Sequence, residues 1–167
     1  SFGSAARAFS NVSFAVVACQ NYLNGYYPAF HYIANEDVDF IVHVGDAIYE
    51  SDAGDFKGFG SYDYPGREKD LPSGNDRVWS LEDYRYLYRT YRSDRFFQEA
   101  LESHTLIVGW DDHELVNDVY WDSETEAPAG DHPRGDDPEF MTELVADGMH
   151  AWWEFMPARV EYDPNGE

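Results

Sequence analysis

Three apolar runs, at residues 13–18, 39–44 and 105–110, punctuate the chain, and each is followed at once by polar groups. Ser13-Phe14-Ala15-Val16-Val17-Ala18 ends in Cys19. Asp39-Phe40-Ile41-Val42-His43-Val44 ends in Gly45-Asp46, with Tyr49 just beyond. Thr105-Leu106-Ile107-Val108-Gly109-Trp110 ends in Asp111-Asp112-His113-Glu114. Continuous runs rich in β-branched residues predict parallel strands covered on both faces. Helical patterns separate them. Pro28 suits a first helical position, and Phe30, Ile33 and Ala34 form an apolar stripe up to Asn35. Strand, helix and strand in that order predict a βαβ unit with a parallel pair and a right-handed crossover.

The remaining pattern is helical with two long interruptions. Ser80-Leu81-Glu82-Asp83 reads as a capping box for a helix carrying Tyr84, Leu87, Tyr88 and Tyr91. Residues 94–101 predict a second, short helix. Residues 140–155 predict an amphipathic one, with Met141, Leu144, Val145, Met149, Trp152 and Trp153, ended near Met156-Pro157. Residues 51–79, rich in Gly, Asp, Pro and Tyr, are too long for a simple connection and predict a functional or lid-like loop. Residues 117–137 read as an acidic Gly/Pro loop. The fold class is therefore α/β. Chemistry in such folds sits beyond the carboxyl ends of the strands, where Cys19, Asp46, Tyr49 and the Asp-Asp-His-Glu group are delivered.

Composition narrows the function. The 167 residues suffice for about one domain, and 43% hydrophobic with 17% aromatic residues is too apolar for a disordered acidic chain. Against 33 Asp and Glu stand 11 Lys and Arg, a net charge of −22, which argues against nucleic-acid binding through phosphates and against a polybasic membrane contact. Lysine is confined to Lys57 and Lys69, and acid is spread along the chain. That distribution favours a salt-adapted surface over a dedicated cation-binding one. A single cysteine excludes an intrachain disulfide, and no apolar run is long enough to span a membrane. Residues 1–8 lack the apolar core of a secretory signal, which leaves open that the chain is a mature exported product.

Each candidate residue has an ordinary reading beside a chemical one. Cys19 is a small buried hydrophobe, or a thiolate ligand or nucleophile delivered by a strand. Asp46 caps a turn, or bridges two metals. Tyr49 packs as an amphipathic ring, or supplies a phenolate to a hard ferric ion. Asp111-Asp112-His113-Glu114 is a solvated acidic turn, or a carboxylate and imidazole set suited to a divalent or trivalent ion. His43 lies inside a strand as a core histidine that could support such a site, whereas His31, His104, His132 and His150 read as structural or surface residues. Arg85, Arg89 and Arg92 recur at helical spacing, as an ion-paired face or as a phosphate clamp.

Taken in order, Ala18-Cys19-Gln20-Asn21, Gly45-Asp46 with Tyr49-Glu50, Leu81-Glu82-Asp83-Tyr84-Arg85, Tyr91-Arg92-Ser93-Asp94, Trp110-Asp111-Asp112-His113-Glu114 and Ala151-Trp152-Trp153-Glu154-Phe155-Met156-Pro157 resemble PhoD-type alkaline phosphatases of the metallophosphatase (calcineurin-like phosphoesterase) superfamily. The resemblance implies an exported phosphomonoesterase or phosphodiesterase with Fe(III) and Ca(II). It implies a mixed sheet with flanking helices, of which residues 1–167 form the N-terminal half of an α/β/β/α sandwich. Cys19, Asp46 and Tyr49 would ligate iron, with Asp46 bridging to a second metal held by Asp112. His113 would face the phosphate, and Arg85 and Arg89 are candidates to bind substrate. The family's later metal-binding segments have no counterpart here, so the resemblance implies a fragment, inactive alone and completed by the missing half or by a partner chain. Two readings from other classes remain: a non-catalytic acidic, calcium-binding surface or assembly protein, and a hydrolase using Cys19 as nucleophile.

Overall fold

The computed structural model describes residues 11–51 and 64–158. Residues 1–8, read as lacking the core of a secretory signal, residues 52–63 of the long loop, and residues 159–167 lie outside these. Three strands, β1 (Phe14–Val17), β2 (Phe40–His43) and β3 (Thr105–Val108), form one parallel sheet in the order β1-β2-β3. Phe14 pairs with Phe40 and Phe40 with Thr105, so Ala15, Ile41 and Leu106 share one face, as do Val17, His43 and Val108. All three strands therefore release their carboxyl ends at one edge of the sheet.

Four helices follow the expected order: α1 (Pro28–Asn35), α2 (Leu81–Arg92), α3 (Arg95–Ser103) and α4 (Pro138–Phe155). Their starts are set by side-chain caps. Ser80 accepts from the Asp83 amide, Asp94 accepts from the amides of Phe96 and Phe97, and Asp137 accepts from that of Phe140. The Asp137 cap followed by Pro138 begins α4 two residues ahead of its apolar pattern. Phe30 of α1, Tyr84, Leu87, Tyr88 and Tyr91 of α2, Phe97 and Ala100 of α3, and Met141, Leu144 and Ala151 of α4 join Ile41 in one buried cluster.

The expectation of strands covered on both faces is corrected. The face carrying Ile41 and His43 is covered, but the opposite face is open among the described residues. Phe14 is 50% exposed, Val16 59% and Ile107 50%. The described helices join the Ile41 cluster, on one side of the sheet. Phe14 stacks on Phe40 across that open face, with ring centroids 5.2 Å apart.

The loop at 117–137 also differs from expectation: it contains an antiparallel hairpin, β4 (Tyr120–Asp122) and β5 (Ala127–Ala129). Asp122 organises its turn by accepting from the Glu124 amide and the Thr125 hydroxyl. Strands of three residues are too short to show an alternating pattern. In the long loop, residues 64–79 return to the core: Arg67, Lys69, Leu71 and Val78 are buried, and Ser51 bridges to Arg77.

Candidate metal centre at the strand ends

The two ends that deliver Cys19 and Asp46 share an uncommon backbone. Cys19 and Asp46 have φ of 54° and 56°, left-handed values that non-glycine residues rarely adopt. Gly45, at φ 133°, precedes Asp46 because nothing larger fits: a Cβ there would lie 2.5 Å from the Asp111 nitrogen. Past β1 and β2 the backbones remain joined, with Cys19 and Gln20 amides donating to the Gly45 and Asp46 carbonyls. The cost of the bent conformations is offset by a buried clamp. Glu114, fully buried, accepts from the amides of Asp46 (3.0 Å), Ala47 (2.5 Å) and Asp111 (2.7 Å), tying the end of β2 to the end of β3.

Asp46 is where the predicted residues converge. Its Oδ2 accepts from the Cys19 thiol at 3.2 Å and from the Tyr49 hydroxyl at 3.3 Å. Its Oδ1 is buried without a hydrogen-bond partner. Ligand atoms of Asp46, Asp112 and His113 lie within 4.8 Å of one another. Cys19 is exposed rather than a buried hydrophobe. Burial and the neighbouring Asp46 push its thiol up from its ordinary value, and burial, Asp46 and Cys19 push the Tyr49 phenol up as well. An orphaned carboxylate oxygen beside a thiol, a phenol, a second carboxylate and an imidazole fits a bound metal ion. The thiol and phenol are the soft and anionic donors that a calcium site does not use.

His113 is oriented from behind. Its Nδ1 donates to Glu50 at 2.7 Å, and Glu50 is fully buried. Glu50 also accepts from the Asn117 amide and lies 3.5 Å from Arg77. In the neutral ring the lone pair then falls on Nε2; in the protonated ring Nε2 carries a second N–H. Burial pulls the His113 imidazolium down, but the hydrogen bond and charge of Glu50, with Asp46 and Asp112, lift it above its ordinary value. The ring lies 4.0 Å from that of Tyr49, centroid to centroid. Asp112 accepts from the Asp118 amide at 2.6 Å, so the hairpin segment starts at the edge of the centre. Asp111, the alternative to Asp112, spends its Oδ1 on the Asp112 amide.

Of the arginine row, Arg85 takes the ion-paired form. Arg85 bonds Glu154 and Glu82, Arg89 lies at 4.0 Å from Glu82 and is mostly exposed, and Arg92 donates to the Met156 sulfur. Residues missed as contributors are Glu50, Glu114, Arg77 and Lys69. Glu50 and Glu114 lie inside the quoted motifs with no role of their own assigned, and Arg77 sits in a loop without periodicity, so only their contacts in the fold distinguish them. His132 is structural, its Nε2 bonded to the Val78 carbonyl.

The family model for PhoD-like phosphatases matches residues 14–167. Alkaline phosphatase D of Bacillus subtilis (strain 168) is 32% identical over 157 residues, covering 93% of this chain and 24% of that protein. A solved structure described as the structure of PhoD superimposes with a TM-score of 0.73 at 29% identity, over 93% of this chain and 27% of the other. The chain thus spans about a quarter of the length of each. With the family model matching nearly the whole sequence, and the Cys19, Asp46 and Tyr49 ends meeting in space, this chain belongs to the PhoD-like phosphatase family.

Proposed function

We propose that residues 1–167 form the N-terminal portion of the catalytic domain of a metal-dependent phosphoric ester hydrolase, acting on phosphomonoesters or phosphodiesters. The observation that carries this reading is the convergence of Cys19 and Tyr49 on one oxygen of Asp46, whose other oxygen is buried and unpaired. Cys19, Asp46 and Tyr49 would hold a ferric ion, and Asp46 with Asp112 a calcium ion. Bound ions of this kind supply Lewis-acid stabilisation of phosphoryl charge and lower the pKa of a water. The protein's own contribution is positional. Glu114 fixes Asp46 and Asp111, and Glu50 fixes the His113 ring so that Nε2 can hand a proton to the leaving oxygen or bind the phosphoryl group. Arg85 is tied to Glu154 and Glu82, which weighs against a substrate role, whereas Arg89 is mostly exposed and reaches Glu82 only at 4.0 Å.

The open sheet face supports the further proposal that the rest of such a domain, or a partner chain, covers it. Export to a saline exterior fits the net charge of −22. The calcium-only surface protein is disfavoured by the thiol and phenol at Asp46. Hydrolysis of p-nitrophenyl phosphate and bis(p-nitrophenyl) phosphate, assayed with iron and calcium supplied in the longest natural form of the chain, tests the reading. Asp46→Asn is expected to abolish turnover, and His113→Asn to lower kcat at least 100-fold. Wild-type turnover in both variants would refute it.

A further inference from the structure

We propose that Lys69 and Tyr91 are positioning residues for Tyr49, acting through its backbone to set the phenol against Asp46 and Cys19. The proposal rests on the reading of Tyr49 as a metal ligand. Lys69 is one of two lysines in a chain of net charge −22, yet it is 4% exposed. Its ammonium donates to the carbonyls of Tyr49 (3.1 Å) and Ser51, and to the Tyr91 hydroxyl at 3.4 Å. It also sits 5.4 Å above the Tyr91 ring. The Tyr91 hydroxyl in turn accepts from the Tyr49 amide at 3.0 Å. Both peptide groups of Tyr49 are therefore gripped, one by α2 and one by the returning segment of the long loop.

Burying an ammonium is expensive unless it is well paired, so its place here calls for an explanation beyond solubility. The turn from Asp46 to Tyr49 has two ends. Glu114 holds the first through the Asp46 and Ala47 amides; Lys69 and Tyr91 hold the second. With the second grip lost, the turn can swing about the first, and the phenol oxygen leaves its 3.3 Å contact with Asp46. Two residues before Lys69, Arg67 is buried against Asp94, the Gly25 carbonyl and the faces of Tyr22, Tyr26 and Tyr27. One segment thus fastens the loop after β1 through Arg67 and the loop after β2 through Lys69.

The test loads the chain with Fe(III) supplied as the nitrilotriacetate complex. It reads iron affinity by competition, the visible phenolate-to-iron charge-transfer band, and amide exchange at Tyr49 in metal-free protein. Lys69→Met and Tyr91→Phe are expected to weaken iron binding about 10- to 100-fold and to diminish the band. Tyr91→Phe is also expected to speed exchange of the Tyr49 amide, and Lys69→Arg to recover part of the affinity. If Lys69→Met does not fold, Tyr91→Phe, which removes a single hydroxyl, decides. Wild-type affinity and band in folded Lys69→Met and Tyr91→Phe, with the band lost in Tyr49→Phe, would overturn the positioning role alone. An unchanged band and affinity in Tyr49→Phe would overturn the ligand reading beneath it.

Discussion

Asp46 reaches its position only because Gly45 lets the chain turn against the Trp110–Asp111 backbone. A methyl group at 45 would collide with backbone, which cannot move aside as a flexible side chain can, and would force a residue with Cβ to φ 133°. Gly45→Ala is expected to destabilise the chain by about 2–4 kcal/mol, read as a lowered urea midpoint with an unchanged slope. An effect below about 0.5 kcal/mol would mean that the β2 and β3 ends are not in this contact. His43 gives a pH signature. Burial pushes its imidazolium down to about 4, and its Nδ1 accepts from the Gly45 amide. The unfolded chain takes up a proton below about 6.5, whereas the folded chain does not until about 4. The unfolded state therefore binds more protons across that window. Stability attributable to His43 is complete above pH 6.5 and falls by an order of 3 kcal/mol as pH drops to 4. Urea midpoints of His43→Leu measured against wild type should show this part of the acid slope removed; parallel slopes would contradict it.

The elements were legible to different degrees, for identifiable reasons. β1, β2 and β3 announce themselves because each apolar run stops abruptly at a polar group. That same stop delivers Cys19, Asp46 and Asp111–Glu114 to one edge, so their convergence could be read from the strands alone. The supporting roles of Glu50 and Glu114 could not, although both residues lie inside the quoted runs. In a chain with 33 acidic residues, Glu50 and Glu114 look like surface charge, and only their burial against groups from distant segments shows otherwise. The β4–β5 hairpin escaped because three-residue strands carry no periodic signal. Asp94 illustrates an element start that does double duty. It caps α3 and also receives the buried Arg67 at 2.5 Å. Asp94→Ala removes the cap and strands a buried guanidinium, with an expected loss of about 3–5 kcal/mol in chemical denaturation. Asp137→Ala at the more exposed start of α4 is expected to lose only about 1 kcal/mol. Equal losses would mean that the Arg67 pairing adds nothing.

At the scale of the molecule, the helices cover one face of the sheet and leave Phe14, Val16 and Ile107 at the surface of the other. The apolar strand pattern, read alone, pointed to cover on both sides, and the described residues supply it on one. Water against this face is unfavourable at about 25 cal/mol per Å2 of apolar area, and among the described residues β1 and β3 are both edge strands. The isolated chain is expected to self-associate with rising concentration in sedimentation velocity. The charge of −22 opposes this at low salt, so association should strengthen as salt screens it. Val16→Asp together with Ile107→Asp should return a monomer; association unchanged by that pair would place the contact elsewhere.

Cys19 and Tyr49 meet on one oxygen of Asp46, the arrangement proposed as a single metal-binding site. Elemental analysis of the protein, produced with iron and calcium available and desalted without chelator, tests it most directly. Expected is near-stoichiometric iron in the wild type, its loss in Asp46→Asn, and a strong reduction in Cys19→Ser and Tyr49→Phe. Iron retained equally in all three variants, or calcium bound without iron in the wild type, would contradict it.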